Sequence, residues 1–156
     1  MPVEKLKAFL EDRNVPYETV AHPQTFTAQR TAESVHVRGK EMAKVVIVTV
    51  DGTMAMVVLP ADSHVDLKKV KQATGARAVG LAKEDEFQAR FPGCDVGAMP
   101  PFGNLYDMMV FEDRELAEDE TIAFNAGTHT EVIKLAYQDY KDLVEPVIGD
   151  FAKRTA

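Results

Sequence analysis

Two apolar runs dominate the chain, residues 44–50 (Lys-Val-Val-Ile-Val-Thr-Val) and residues 53–59 (Thr-Met-Ala-Met-Val-Val-Leu), joined by Asp51-Gly52. Runs rich in β-branched residues on either side of Asp-Gly predict a β-hairpin. Their near-continuous apolar character fits central strands covered on both faces, and it also fits one face of a sandwich. Upstream, Val3, Leu6, Phe9 and Leu10 recur at helical spacing, with Asn14 and Pro16 as the stop. Residues 16–21 predict a short strand, and residues 27–35 a second helix before the turn at Arg38-Gly39-Lys40.

Downstream of Pro60, the pattern predicts a helix over 66–74 ended by Gly75, a strand over 76–81 and a helix over 83–91 ended by Pro92-Gly93. Strands are then expected over 105–111, 121–125 and 130–135, with 112–120 as an acidic crossover and a last helix from Tyr137 to Leu143. Strands in clusters with helices between them, and no regular β-α-β alternation, predict the α+β class. The expected architecture is a mixed, largely antiparallel central sheet with surrounding helices, a single domain over 1–156.

The 156 residues, 46% hydrophobic and 28% charged, suit one soluble domain. No apolar run approaches the about 20 residues that span a bilayer, and the N-terminus lacks a signal-peptide core. A cytoplasmic protein without membrane association is therefore expected. The single Cys94 cannot form an internal disulfide, and no neighbour in sequence supplies the cation or histidine that activates a thiol. The net charge of −7 is local: residues 1–90 hold 13 Lys+Arg against 12 Asp+Glu, residues 91–156 hold 5 against 13. A modest basic surface from Arg30, Arg38, Lys40, Lys44, Lys68, Lys69 and Lys71 stays open for phosphate, although the last three equally suit a solvated helix face.

GxGxxG after a strand, GxxxxGK[ST], HExxH and GxSxG are all absent, which weighs against the common nucleotide and hydrolase classes. His22, His36, His64 and His129 are far apart in sequence and only one Cys accompanies them, so no metal site is expected. Three features are unusual for plain packing. Lys44 opens the most hydrophobic strand, where it either snorkels to the strand end or points into a cleft. His129 lies in a turn between two strands, facing either solvent or a pocket. Gly97-Ala98-Met99-Pro100-Pro101-Phe102-Gly103 is stiff at its prolines and permissive at its glycines; it reads as a helix stop or turn, or as a preset main-chain cradle.

Residues 39–44 entering the apolar strand, Gly-x-x-x-Pro at Gly97 and Pro101, and Asn125-Ala126-Gly127-Thr128-His129 before Val132-Ile133-Lys134-Leu135 occur in order. Together they resemble the YbaK/prolyl-tRNA synthetase-associated domain family, from about His22 to Leu143. The resemblance implies aminoacyl-tRNA editing: hydrolysis of the ester joining a wrong amino acid to the 3'-terminal adenosine, with a tRNA for proline as the expected type. It implies Lys44, Gly97 and His129 as the catalytic set, with Lys44 near the terminal adenosine and its phosphate. It also implies Ala98, Met99, Pro100 and Pro101 as a substrate cradle, with Thr27 at the entrance and Asp139 as a further pocket or structural contact. No cofactor is implied. The expected partners are the tRNA acceptor 3' end and prolyl-tRNA synthetase, which would deliver a substrate that an acidic chain poor in aromatics holds weakly. Two other readings stay open: a non-catalytic module binding tRNA or an aminoacyl-adenosine end, and a regulatory partner of a synthetase.

Overall fold

The computed structural model describes residues 2–21, 42–91, 94, 98–128 and 130–153. Helix α1 (Pro2–Asp12) leads into β1 (Glu18–Ala21); the central hairpin is β2 (Met42–Val50) and β3 (Thr53–Pro60). Then come β4 (His64–Val65), α2 (Leu67–Thr74), β5 (Val79–Leu81) and the single turn α3 (Glu84–Phe87). The rest comprises β6 (Val110–Asp113), β7 (Thr121–Asn125), β8 (Glu131–Ala136), α4 (Tyr137–Val144), β9 (Val147–Gly149) and β10 (Ala152–Lys153). The helix expected over 27–35 and the turn at 38–40 lie outside the described residues.

Eight strands form one mixed sheet in the order β1-β8-β7-β2-β3-β6-β9, with β5 also pairing β2; β10 and β4 form a separate pair. In the main sheet β1/β8, β7/β8, β2/β3 and β2/β5 are antiparallel, while β2/β7, β3/β6 and β6/β9 are parallel. This is the predicted class. Local chemistry sets several boundaries. Asp51 (φ 48°) and Gly52 (φ 85°) both adopt the left-handed conformation that a two-residue hairpin requires. Asp66 caps α2 by accepting from the Lys68 and Lys69 amides, and Gly75 (φ 69°) ends it.

Period-two alternation divides the sheet into two faces. Ile47, Met56, Val110, Phe124 and Ile133 pack beneath α1, α4 and residues 98–108. On the other face Val48, Val57, Leu59 and Phe111 meet Val70 of α2 and Phe151, beside a smaller group of Met42, Ala61, Ala123 and Val132.

Two expectations are corrected. The strand expected over 105–111 starts only at Val110: residues 103–105 form a 3-10 turn, and Asp107 has φ 57°. Gly103 explains the departure, because a Cβ there would lie 2.5 Å from the Met108 carbonyl oxygen and 2.6 Å from Val110 Cγ2. The chain is folded back on itself too tightly to be extended. The supposed acidic crossover, in turn, begins with two strand residues, Glu112 and Asp113, both 0% exposed. Asp113 accepts from the Phe151 and Glu115 amides, while Glu112 receives the Tyr137 hydroxyl. Burial pushes the Glu112 carboxyl up to about 7, with Asp113 adding to the rise and Tyr137 and Lys141 opposing it.

A carboxyl with a raised folded-state pKa costs stability once ionised. The cost is absent below the ordinary value of 4.5 and complete above about 7, which amounts to about 3 kcal/mol. Glu112→Gln is expected to flatten the pH dependence of the unfolding midpoint, gaining on the parent as pH rises; parallel profiles would refute the assignment. Gly103→Ala should destabilise by about 1–3 kcal/mol in denaturant unfolding, since carbonyl and methyl must both move.

Candidate functional site

The sheet is interrupted beside β2. On one edge β2 is paired along its length by β3; on the other, β7 pairs only Met42 and Ala43, and β5 only Val48, Thr49 and Val50. Between them no strand pairs that edge among the described residues. Burial follows the gap: Lys44, Val45 and Val46 are half-buried while Met42, Ala43, Ile47 and Val48 are buried. Main-chain direction alternates along a strand. Ala61 N–H donates to the Met42 carbonyl on the β3 side (2.7 Å), and Ala82 N–H to the Ile47 carbonyl on the other (3.0 Å). The Val45 N–H and C=O therefore point into the gap, where a half-buried peptide group needs a partner.

Lys44 pairs with Leu59 and shares the face of Met42. Desolvation lowers its pKa, against the pull of Asp62. Such an ammonium, short of hydration, is suited to bind an anionic oxygen.

Residues 98–103 are all buried, and Ala98 and Phe102 are 0% exposed. Their main chain is held from two sides. Gly127 N–H donates to the Ala98 carbonyl (2.8 Å), and the Tyr140 hydroxyl donates to the Pro101 carbonyl (2.9 Å). Phe102 N–H closes a tight turn onto the Pro100 carbonyl (2.8 Å). Gly127 has φ 101°, a conformation an L side chain resists. With Met99, Phe102 and Ala126 in one core cluster, this segment has main chain to offer a ligand more than side chains.

Of the residues expected from sequence, Gly97, His129 and Thr27 lie outside the described residues. Their neighbours Ala98 and Gly127 are joined directly, so the glycine-proline segment and the turn after β7 do meet. Lys44 leaves the sheet on the face opposite the Met99 and Phe102 cluster, and among the described residues no hydrogen bond or ion pair links it to 98–101. Asp139 is half-buried in the first turn of α4, one residue before Tyr140. There its charge complements the helix dipole. Pro100 and Pro101 fix the approach to Phe102. Lys69, read from sequence as part of a basic surface or a solvated helix face, is tied to Asp150 (3.0 Å).

Sequence reasoning missed the Val45 peptide, Tyr140 and Asn125. The last could have been found from alternation: it follows Ala123 by two on a strand whose inward positions are otherwise apolar. No group of three His, Cys, Asp or Glu able to hold a metal occurs among the described residues. Nor is any helix among them long and apolar enough to cross a membrane. An apolar hollow of about 460 Å³, lined by Val50, Thr53, Met54 and Met109, lies at the hairpin end of β2, six residues from Lys44.

An interrupted sheet edge that presents a main-chain N–H beside a half-buried cation suits an oxygen-rich ligand. The aminoacyl-tRNA editing domain family matches residues 22–143, and the chain belongs to it. Its class is that of the aminoacyl-tRNA deacylases. A relative named multifunctional Ser/Thr-tRNA deacylase ProXp-y, from Escherichia coli, is 28% identical over 98% of this chain and 93% of its own. The proline–tRNA ligase of Bacillus mycoides is 27% identical over 100 residues, 64% of this chain and 18% of the ligase. A solved structure described as a candidate trans-editing enzyme for prolyl-tRNA synthetase superimposes with a TM-score of 0.84 over 97% of each chain, at 18% identity, and so shares the fold.

Tyr140→Phe leaves the buried Pro101 carbonyl without its donor and is expected to lower stability by about 1–3 kcal/mol in denaturant unfolding. An unchanged midpoint would show that this bond does not hold the segment.

Proposed function

We propose that this chain hydrolyses the ester joining a seryl or threonyl residue to the 3'-terminal adenosine of tRNA, with tRNA for proline among its substrates. The observation that supports the reading is the gap beside β2, where among the described residues no strand pairs the Val45 peptide group next to Lys44. An attacked ester carbonyl develops negative charge on oxygen, and preorganised main-chain N–H groups stabilise it without a side-chain nucleophile. Gly97, with Ala98 to Pro101, supplies that cradle, and Lys44 holds the phosphate or ribose oxygens of the terminal adenosine. Water adds to the carbonyl carbon, the bond to the ribose oxygen breaks, and that oxygen takes the proton. Free amino acid and intact tRNA result. His129 and Thr27 shape the pocket and its entrance, while Asp139 acts from behind through α4.

The acyl part follows the relative named as a Ser/Thr-tRNA deacylase, and the tRNA part follows the proline–tRNA ligases that share about two thirds of this chain. Delivery by prolyl-tRNA synthetase in the cytoplasm suits a chain of net charge −7, whose own attraction for polyphosphate is small.

Purified protein is expected to accelerate loss of label from seryl- and threonyl-tRNA, on tRNA for proline as well as on their own tRNAs. No acceleration on any aminoacyl-tRNA would end the reading. Lys44→Ala should lower kcat/KM at least about tenfold, or about 1.4 kcal/mol of transition-state binding. Gly97→Val should reduce turnover more than Met99→Ala when both are assayed well below their melting temperatures. The reverse order would place the chemistry on side chains.

A further inference from the structure

Asn125 ends β7 after Ile122, Ala123 and Phe124 and is 5% exposed. Its Oδ1 is buried and, among the described residues, has no hydrogen-bond partner. Alternation puts its side chain on the face of Ala123, and the parallel register Met42↔Ala123, Ala43↔Phe124 brings Lys44 level with it across the gap. Apart from Lys44, the described neighbours on that face at this end of the sheet are apolar: Val132 pairs Asn125 on β8, and Met42 and Ala61 form the cluster with Ala123. A buried amide oxygen among methyl and methylene groups is unfavourable in the free protein, and it becomes favourable once a ligand brings a donor.

An aminoacyl-adenosine end carries four kinds of donor: the α-ammonium, the ribose hydroxyl, the adenine amino group and, in serine and threonine, a side-chain hydroxyl. Lys44 beside Asn125 repels a second cation, which disfavours the α-ammonium. The ribose hydroxyl and the adenine amino group are common to every substrate, so an acceptor for either does not tell one acyl group from another. We propose that Asn125 is a specificity-determining residue whose Oδ1 accepts a hydrogen bond from the side-chain hydroxyl of the seryl or threonyl group. This rests on the ester-hydrolase reading above. It explains how one pocket selects hydroxylated side chains over alanyl: a site built to bond a hydroxyl leaves its own acceptor unpaired when the hydroxyl is missing.

The test compares the parent chain with Asn125→Leu, of similar volume without an acceptor, and Asn125→Asp, which keeps one. Initial rates are measured on seryl-, threonyl- and alanyl-tRNA. Asn125→Leu should lower kcat/KM on the first two at least about tenfold and leave alanyl-tRNA within about threefold, while Asn125→Asp keeps the preference for seryl over alanyl. Equal loss on all three, or loss on none, overturns the proposal. Should Asn125→Leu fail to fold, binding of non-hydrolysable amide-linked seryl- and alanyl-adenosine to the parent decides: about tenfold tighter seryl binding supports the proposal, and equal binding refutes it. A parent that hydrolyses all three esters equally well refutes only the Asn125 role. A parent that binds the seryl analogue selectively yet cleaves nothing refutes only the hydrolase reading.

Discussion

The ring of Phe102 is the contact on which the rest of this molecule depends. It is fully buried, with its centroid 6.0 Å from Phe9, 5.4 Å from Phe124 and 5.4 Å from Tyr140, all in edge-on geometries. Helix α1, the middle of the sheet and helix α4 thus converge on one side chain that directly follows Pro100-Pro101. Each edge-to-face pair contributes about 0.5–1.5 kcal/mol beyond the area it buries. The consequence is positional: a segment anchored by its own aromatic ring, two fixed proline φ angles and the Tyr140 and Gly127 hydrogen bonds has little freedom left. Main-chain groups held this way can meet developing charge without first reorganising.

The acidity of the second half of the chain is partly internal. Glu112 and Asp113 sit in the sheet, one under the Tyr137 hydroxyl and the other gathering the Phe151 and Glu115 amides. Asp113 thereby ties the C-terminal segment, with β10, to the core. A count of charges along the sequence overstates the negative field that an approaching polyphosphate meets, because burial pushes the Glu112 carboxyl up to about 7, where it is only partly ionised at neutral pH.

The candidate site is a defect in the sheet. Where β7 ends at Asn125 and β5 has not yet begun, no strand among the described residues pairs that edge of β2. The residues along it are Lys44, Val45 and Val46, a cation between a cluster of methyl groups and an open backbone edge. The hydrolysis proposed for it needs no nucleophile motif, in keeping with a sequence that lacks the familiar hydrolase signatures. Cys94 fits the same picture: it lies against the Tyr106 hydroxyl, whose pKa is raised first by burial and then by the thiol, and a phenol offers a thiol no activation.

What the sequence determined by itself was local. Asp51-Gly52 can turn only one way between two β-branched runs; Asp66 and Gly75 bracket a helix; and Lys44 stands out because a cation does not belong in an apolar strand. These signals act over a few residues and survive folding unchanged. Tertiary structure decided the rest. Residues 105–109 have strand-forming composition, yet the Gly103 to Met108 approach folds them back, and Val147 to Gly149 becomes an edge strand only because β6 is there to pair it. Asn125 closes a strand the pattern predicts, but only the assembled sheet buries its side-chain amide oxygen without a donor among the described residues. Alternation shows which way a side chain points, but whether it meets a partner depends on residues distant in the chain, and that information exists only once the strands are assembled.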